Sequence, residues 1–132
     1  MAYSLVQPLF WKPASNANEV QYEYFTGLIK EKSTLGYVFK RGKSIEGFII
    51  GEIYPANPLY KKVHLCKVDD YTVRDEQWET VGKQLLMALQ YDALAKGADY
   101  LYIVSGYHHI AKMKLLSELG LKKVSDTWTG AI

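Results

Sequence analysis

"KVDDYTV" (residues 67–73) runs, after a short link, into "QWETVGKQLL" (residues 77–86), and the reading of this junction decides the fold. The first stretch carries β-branched and aromatic residues and reads as the end of a strand. Its adjacent carboxylates, Asp69 and Asp70, are unusual in mid-strand and predict a bulge or a polar cleft. The second stretch opens a helix over residues 77–95, with Trp78, Val81, Leu85, Leu89 and Ala93 as its buried stripe. Gly97 is suited to end it in left-handed backbone. Gly82 is out of place inside that helix, because glycine there costs about 1 kcal/mol relative to alanine. Two readings explain it. A strand feeding straight into a helix leaves the first N–H groups unpaired, and with the helix dipole they form an anion site that a glycine would open to a diphosphate. Alternatively, the missing side chain lets the helix pack tightly on a strand.

Upstream, "LGYVFK" (35–40) and "SIEGFIIGEIY" (44–54) read as strands joined by the tight turn "RGK". Pro55 and Pro58 mark the next turn, and a third strand over residues 62–73 completes an antiparallel meander. Val63, Leu65, Lys67, Asp69, Tyr71 and Val73 share one parity along it. Before the meander, Asn16 and Glu19 start a helix over residues 19–32, with Val20, Tyr24 and Leu28 at helical spacing. Downstream, "ADYLYIVS" (98–105) is a strand, "HHIAKMKLLSELG" (108–120) a helix closed by Gly120, and "LKKVSDTW" (121–128) a last strand. The expected fold class is α/β with a mixed sheet: an antiparallel meander followed by strand-helix-strand-helix-strand, short at both ends, in one domain.

A chain of 132 residues with 48% hydrophobic and 23% charged residues is long and apolar enough to bury a core. A net charge of +2 does not by itself imply a polyanion partner, and no nucleic acid is expected. Nor is a membrane, since no apolar run nears the roughly 20 residues of a span. "MAYSLVQPLFWKPAS" lacks the basic start and long apolar run of a signal peptide, and the single cysteine, Cys66, fits a reducing compartment. A cytoplasmic protein is expected, with Cys66 as a buried small hydrophobe. His108 and His109 are adjacent and do not point together, so no metal site is expected. The run "KMKLLSELGLKK" reads as an amphipathic helix with a solvated basic edge.

The order of elements and two motifs resemble the GNAT superfamily of acyl-CoA-dependent N-acyltransferases. The first motif is Gln77-Trp78-Glu79-Thr80-Val81-Gly82, opening a helix after a strand; the second is "YIVSGYHHIAKMKLLSELGL". The likeness covers about residues 35–124. It implies an N-acetyltransferase that moves an acetyl group from acetyl-CoA to an amine by direct attack. Acetyl-CoA would lie in a V between the third strand and the next, as co-substrate and with no metal. Backbone amides from Trp78 through Glu79, Thr80, Val81 and Gly82 to Lys83, after Gln77, would hold its diphosphate. Tyr71, Thr72 and Val73 would pair with the pantetheine amides. His109 stands where the family has asparagine, Thr80 where it has a first glycine, Leu116 where it often has an acidic tyrosine, and Lys67 near its glutamate base. Asp69 and Asp70 become candidates for the base, each also readable as a solvated or bulge-forming carboxylate, and Tyr107, His108 and His109 for the acid. A non-catalytic acyl-CoA-binding or regulatory module of the same fold is the alternative. Because the chain stops at "SDTWTGAI", where such proteins continue into one more strand, a homodimer that buries Trp128 and Ile132 is expected.

Overall fold

The computed structural model describes residues 33–55, 63–106, 108–126, 128 and 130. The helix expected over residues 19–32, Pro58, Tyr107, Ile132 and the Asp69 side chain lie outside that description. Four strands form one sheet in the order β1-β2-β3-β4, with β1 at Thr34–Arg41, β2 at Ser44–Pro55, β3 at His64–Val73 and β4 at Tyr100–Ile103. Strands β1 to β3 are the antiparallel meander; Gly42, at φ +62°, makes the first turn that "RGK" predicts. Strand β4 runs parallel to β3, which requires a crossover, and helix α1 (Lys83–Ala95) provides it. A short helix α2 (Ile110–Glu118) follows β4.

Both helices end as their glycines predict. Gly97 and Gly120 sit at φ +92° and +86°. The N–H groups beyond them bond back across the last turn, Ala98 to Ala93 at 2.9 Å and Leu121 to Leu116 at 3.0 Å, which satisfies carbonyls that would otherwise be orphaned. The stripe Trp78, Val81, Leu85, Leu89 and Ala93 is buried throughout, and Leu86 joins it. It packs on Leu35, Ile49, Cys66, Val68, Tyr71 and Val73 of the sheet. Tyr37 ties β1 to α1 by donating its hydroxyl to Asp92 at 2.9 Å.

One expectation is met in detail and one needs correction. The bulge that the acidic pair predicts forms in β3, and it breaks the shared parity of the sequence there. Pairing passes from Ile50↔Asp70 to Gly51↔Val68 and skips Asp69. One extra residue flips every side chain beyond it to the opposite face. The core therefore takes Cys66 and Val68 before the bulge but Tyr71 and Val73 after it. The last strand expected over residues 121–128 does not form among the described residues. Its apolar positions, Leu121, Val124 and Trp128, are spaced by three and four, not by the two a strand needs. Val124 and Trp128 are exposed.

Candidate active site

Strands β3 and β4 pair only from Leu65↔Tyr100 to Val68↔Ile103, and the pairing stops where the bulge begins. Beyond it, Tyr71, Thr72 and Val73 have β2 on one side, while no described strand takes the other. The result is a V between the end of β3 and the residues after β4, with main-chain polar groups on its walls.

The chain reaches α1 through a 3-10 turn, Asp75–Gln77, and one wide π-helical turn, Trp78–Gly82. The Lys83 N–H bonds back to the carbonyls of Thr80 and Trp78. Regular α-helix was expected from Gln77, so the junction is less regular than the sequence predicts. Single π-turns inside helices recur at functional sites. Thr80 spends its hydroxyl on Gln77, at 3.3 Å from the carbonyl and 3.1 Å from the side-chain oxygen. Glu79, Thr80 and Lys83 are exposed. Between this turn and α2 runs an open groove of about 300 Å³, lined by Glu79, Lys83, Leu115, Glu118 and Leu119. Lys114 spans its rim, 3.1 Å from Glu79 and 3.8 Å from Glu118.

Gly82 is enclosed by protein. A Cβ there would lie 2.9 Å from Cε3 of Trp78 and 3.4 Å from both Leu115 and the Tyr71 hydroxyl oxygen. The Tyr71 hydroxyl donates to the Gly82 carbonyl. Of the two readings of this glycine, close packing accounts for it.

Three rings pack edge to face at the base of the V. Trp78 meets Tyr71 edge to face at 4.9 Å and 71°, and His109 at 4.9 Å and 80°. His109 thus joins the cluster from the residue before α2, while His108 is exposed. Burial pushes the His109 imidazole below its usual range, the Lys112 charge adds to this, and Asp75 opposes it. Burial holds the Tyr71 phenol well above its own. Asp70, the first paired residue past the bulge, accepts the Thr72 hydroxyl at 2.9 Å.

The residue that sequence reasoning missed is Lys112. It is 5% exposed, and its Nζ lies in the V, 3.5 Å from both the Tyr71 and Val104 carbonyl oxygens. The faces of Tyr71 and Trp78 are 5.2 and 5.8 Å away. Burial lowers its pKa to about 8, with Asp70 pulling the other way. The signal was present: Lys112 lies three, four and seven residues before Leu115, Leu116 and Leu119, on the helix face that packs inward. The basic edge read as solvated is solvated at Lys114 but not at Lys112.

No protein-family model matches the sequence, and no curated protein matches it. Solved structures match by fold. The aminoglycoside N-acetyltransferase AAC(6')-Iy, in complex with CoA, superposes with a TM-score of 0.70 at 14% identity, over 86% of this chain and 87% of that one. An acetyltransferase from Trypanosoma brucei gives 0.64 at 17%, over 92% and 82%. A transcriptional regulator from Bacillus halodurans gives 0.72 at 15%, over 86% and 76%. At these identities the likeness is one of fold, and the chain has the mixed α/β fold of the GNAT acetyltransferases.

Proposed function

We propose that the protein is an acyltransferase that moves an acetyl group from acetyl-CoA to an amine by direct attack. The observation that carries this reading is the parting of β3 and β4 at the Asp69 bulge. It leaves the main chain of Tyr71, Thr72 and Val73 with one edge that no described strand pairs. A ligand with amides at strand spacing completes such an edge. Two buried donors add to the fit: Trp78 Nε1 and Ser105 Oγ have no hydrogen-bond partner among the described residues. An unsatisfied buried donor costs about 1–3 kcal/mol, so a polar ligand that reaches it is favoured.

Bound acetyl-CoA supplies an activated acyl carbonyl, and the chain does the rest. Backbone N–H groups at the bulge stabilise the oxyanion. The exposed part of the wide turn, the amides of Glu79 and Thr80 with the Lys83 side chain beside them, holds the diphosphate; Gly82 is enclosed and the Lys83 N–H is already bonded within the turn. Asp69 or Asp70 takes the amine's proton. His109, whose imidazole burial pushes below its usual range, is a further proton carrier, and Tyr107 is a second candidate by its place in the sequence. The amine comes from solution, and no metal is required.

A second reading, a non-catalytic acyl-CoA-binding module, is favoured by Leu116. It packs on the core and offers no proton where the family's tyrosine would stand. Calorimetric titration with acetyl-CoA, followed by turnover with a panel of amines, tests both. Binding with release of CoA supports the enzyme; binding without turnover supports the module; no binding overturns both. We also propose a cytoplasmic location. No helix among the described residues is long and apolar enough to cross a membrane.

A further inference from the structure

Lys112 is a costly residue to place where it is. Taking an ammonium out of water carries a large desolvation penalty, and a methionine of similar length would fill the space without it. What holds Nζ is weak: two carbonyl oxygens at 3.5 Å, long for hydrogen bonds, and two aromatic faces more than 5 Å away. These contacts sit on opposite walls of the V, one on β3 and one just past β4. The cation therefore stands in the gap itself. Leu116, one turn further along the same helix face, carries no proton donor, and helical side chains lean toward the N-terminus. Lys112 is thus the α2 side chain that delivers a proton donor to the gap.

We propose that Lys112 is the acid of this site: its ammonium group faces the sulfur of the cofactor and protonates the thiolate as it leaves. The inference rests on the acyl-CoA reading above. In the step, the amine nitrogen forms a bond to the thioester carbonyl carbon and the carbon–sulfur bond breaks. Sulfur keeps that bonding pair and takes a proton from Nζ. The proton shed by the amine nitrogen returns through solvent to the neutral Lys112, so the balance is one amine and one thioester to one amide and one thiol. The groups facing Nζ fit this task. Asp70 and Tyr71 approach from β3, Trp78 from the wide turn, and His109 from the start of α2, with Asp75 acting on His109. Burial brings the lysine to about 8. A thiol ionises near 8.5, so donor and acceptor are closely matched.

The test needs no knowledge of the amine. CoA labelled isotopically at the methylene that bears sulfur is bound to the protein, and its thiol is titrated by NMR. In the wild type the bound thiol should ionise at least about tenfold more readily than free CoA, since a nearby cation lowers an acid's pKa by a unit or more. Lys112→Met should abolish that shift and Lys112→Arg should keep it. A wild-type thiol that titrates at or above free CoA overturns the proposal, whatever the variants do. So does an unchanged shift in Lys112→Met. Acetylation of Lys112 itself on incubation with acetyl-CoA, seen by peptide mass spectrometry, would make it a nucleophile and overturn its role as acid. If calorimetry finds no CoA bound to the wild type, the acyl-CoA reading falls first.

Discussion

Gly82 and Lys112 are the two residues whose chemistry and position conflict most, and each conflict makes a prediction. Alanine at 82 would gain about 1 kcal/mol of helix propensity. Its Cβ, however, would press to 2.9 Å on Trp78, which is 2% exposed. Overpacking of that kind costs about 1–3 kcal/mol, so Gly82→Ala should lower the urea midpoint and Gly82→Val should lower it further. A midpoint that rises would mean the tryptophan has room to move. Lys112 predicts a pH dependence. Its pKa is about 8 when folded and near 10.5 when unfolded. Between those values the unfolded chain holds the proton that the folded chain has released, so stability rises with pH across the window. Below about 8 both states are charged and the full burial penalty is present. The wild type should gain roughly 3 kcal/mol on Lys112→Met between pH 7.5 and 10.5, other groups cancelling in the difference. A parallel pair of curves would show that Nζ is better solvated than its burial implies. The sequence posed the Gly82 problem and left two solutions open, because a missing side chain does not say what fills the space. It carried the helix face of Lys112 as well. A lysine beside leucines reads as a solvated edge until the walls on both sides are known.

At the scale of elements, α1 lies close on β2 because two glycines leave it room. A Cβ on Gly47 would lie 2.9 Å from the Thr72 carbonyl oxygen and 3.2 Å from Leu85, and one on Gly51 3.0 Å from the Cys66 sulfur and 3.4 Å from Leu89. The Thr72 carbonyl is main chain inside a paired strand and cannot step aside. Gly47→Ala should therefore lift the helix and cost about 1–3 kcal/mol. Gly36→Ala, whose nearest neighbour would be 3.9 Å away, should leave stability within about 0.5 kcal/mol of wild type. Equal losses at both positions in chemical denaturation would contradict this seating of the helix. The meander, the crossover helix and both glycine helix ends were legible because local chemistry sets them: alternation, a 3.6-residue stripe, left-handed backbone. The bulge was legible from Asp69 and Asp70, but its consequence for the far end of β3 was not, since one skipped residue reverses a parity that looks continuous in the sequence. The wide turn before α1 had no signal either. It follows from fitting Trp78 and Val81 into a core whose shape only the sheet defines. Residues 121–128 were read as a strand from their position in the order, against a spacing that never alternated.

The whole molecule presents two sheet edges among its described residues, and they differ in character. The β1 side carries Lys40 and Arg41, with Lys43 in the turn, charges that discourage pairing with another chain. The β4 side carries Tyr100 at 62%, Tyr102 at 42% and Val104 at 48% exposure, with no described strand beyond it. Val124 and Trp128, after α2, are 84% and 90% exposed. Exposed apolar groups along an edge that no described strand pairs mark an interaction surface. A second copy of the chain would satisfy it, because pairing β4 with its twofold mate would close both edges at once. Strand β4 spans only Tyr100–Ile103, so its few ladder bonds are a small part of the energy and burial of the tyrosines and Trp128 must supply most of it. The protein should therefore scatter light as a dimer at micromolar concentration. Tyr100→Lys, which puts a charge on the edge, should shift it toward monomer without lowering the denaturation midpoint of the monomer. The fluorescence lost on Trp128→Phe should be that of a buried indole in the dimer and of a water-exposed one in the Tyr100→Lys variant. A wild-type monomer whose Trp128 emits as in water would overturn the assembly. The acyl-CoA reading would stand, because both described walls of the V, the end of β3 and the residues after β4, belong to one chain.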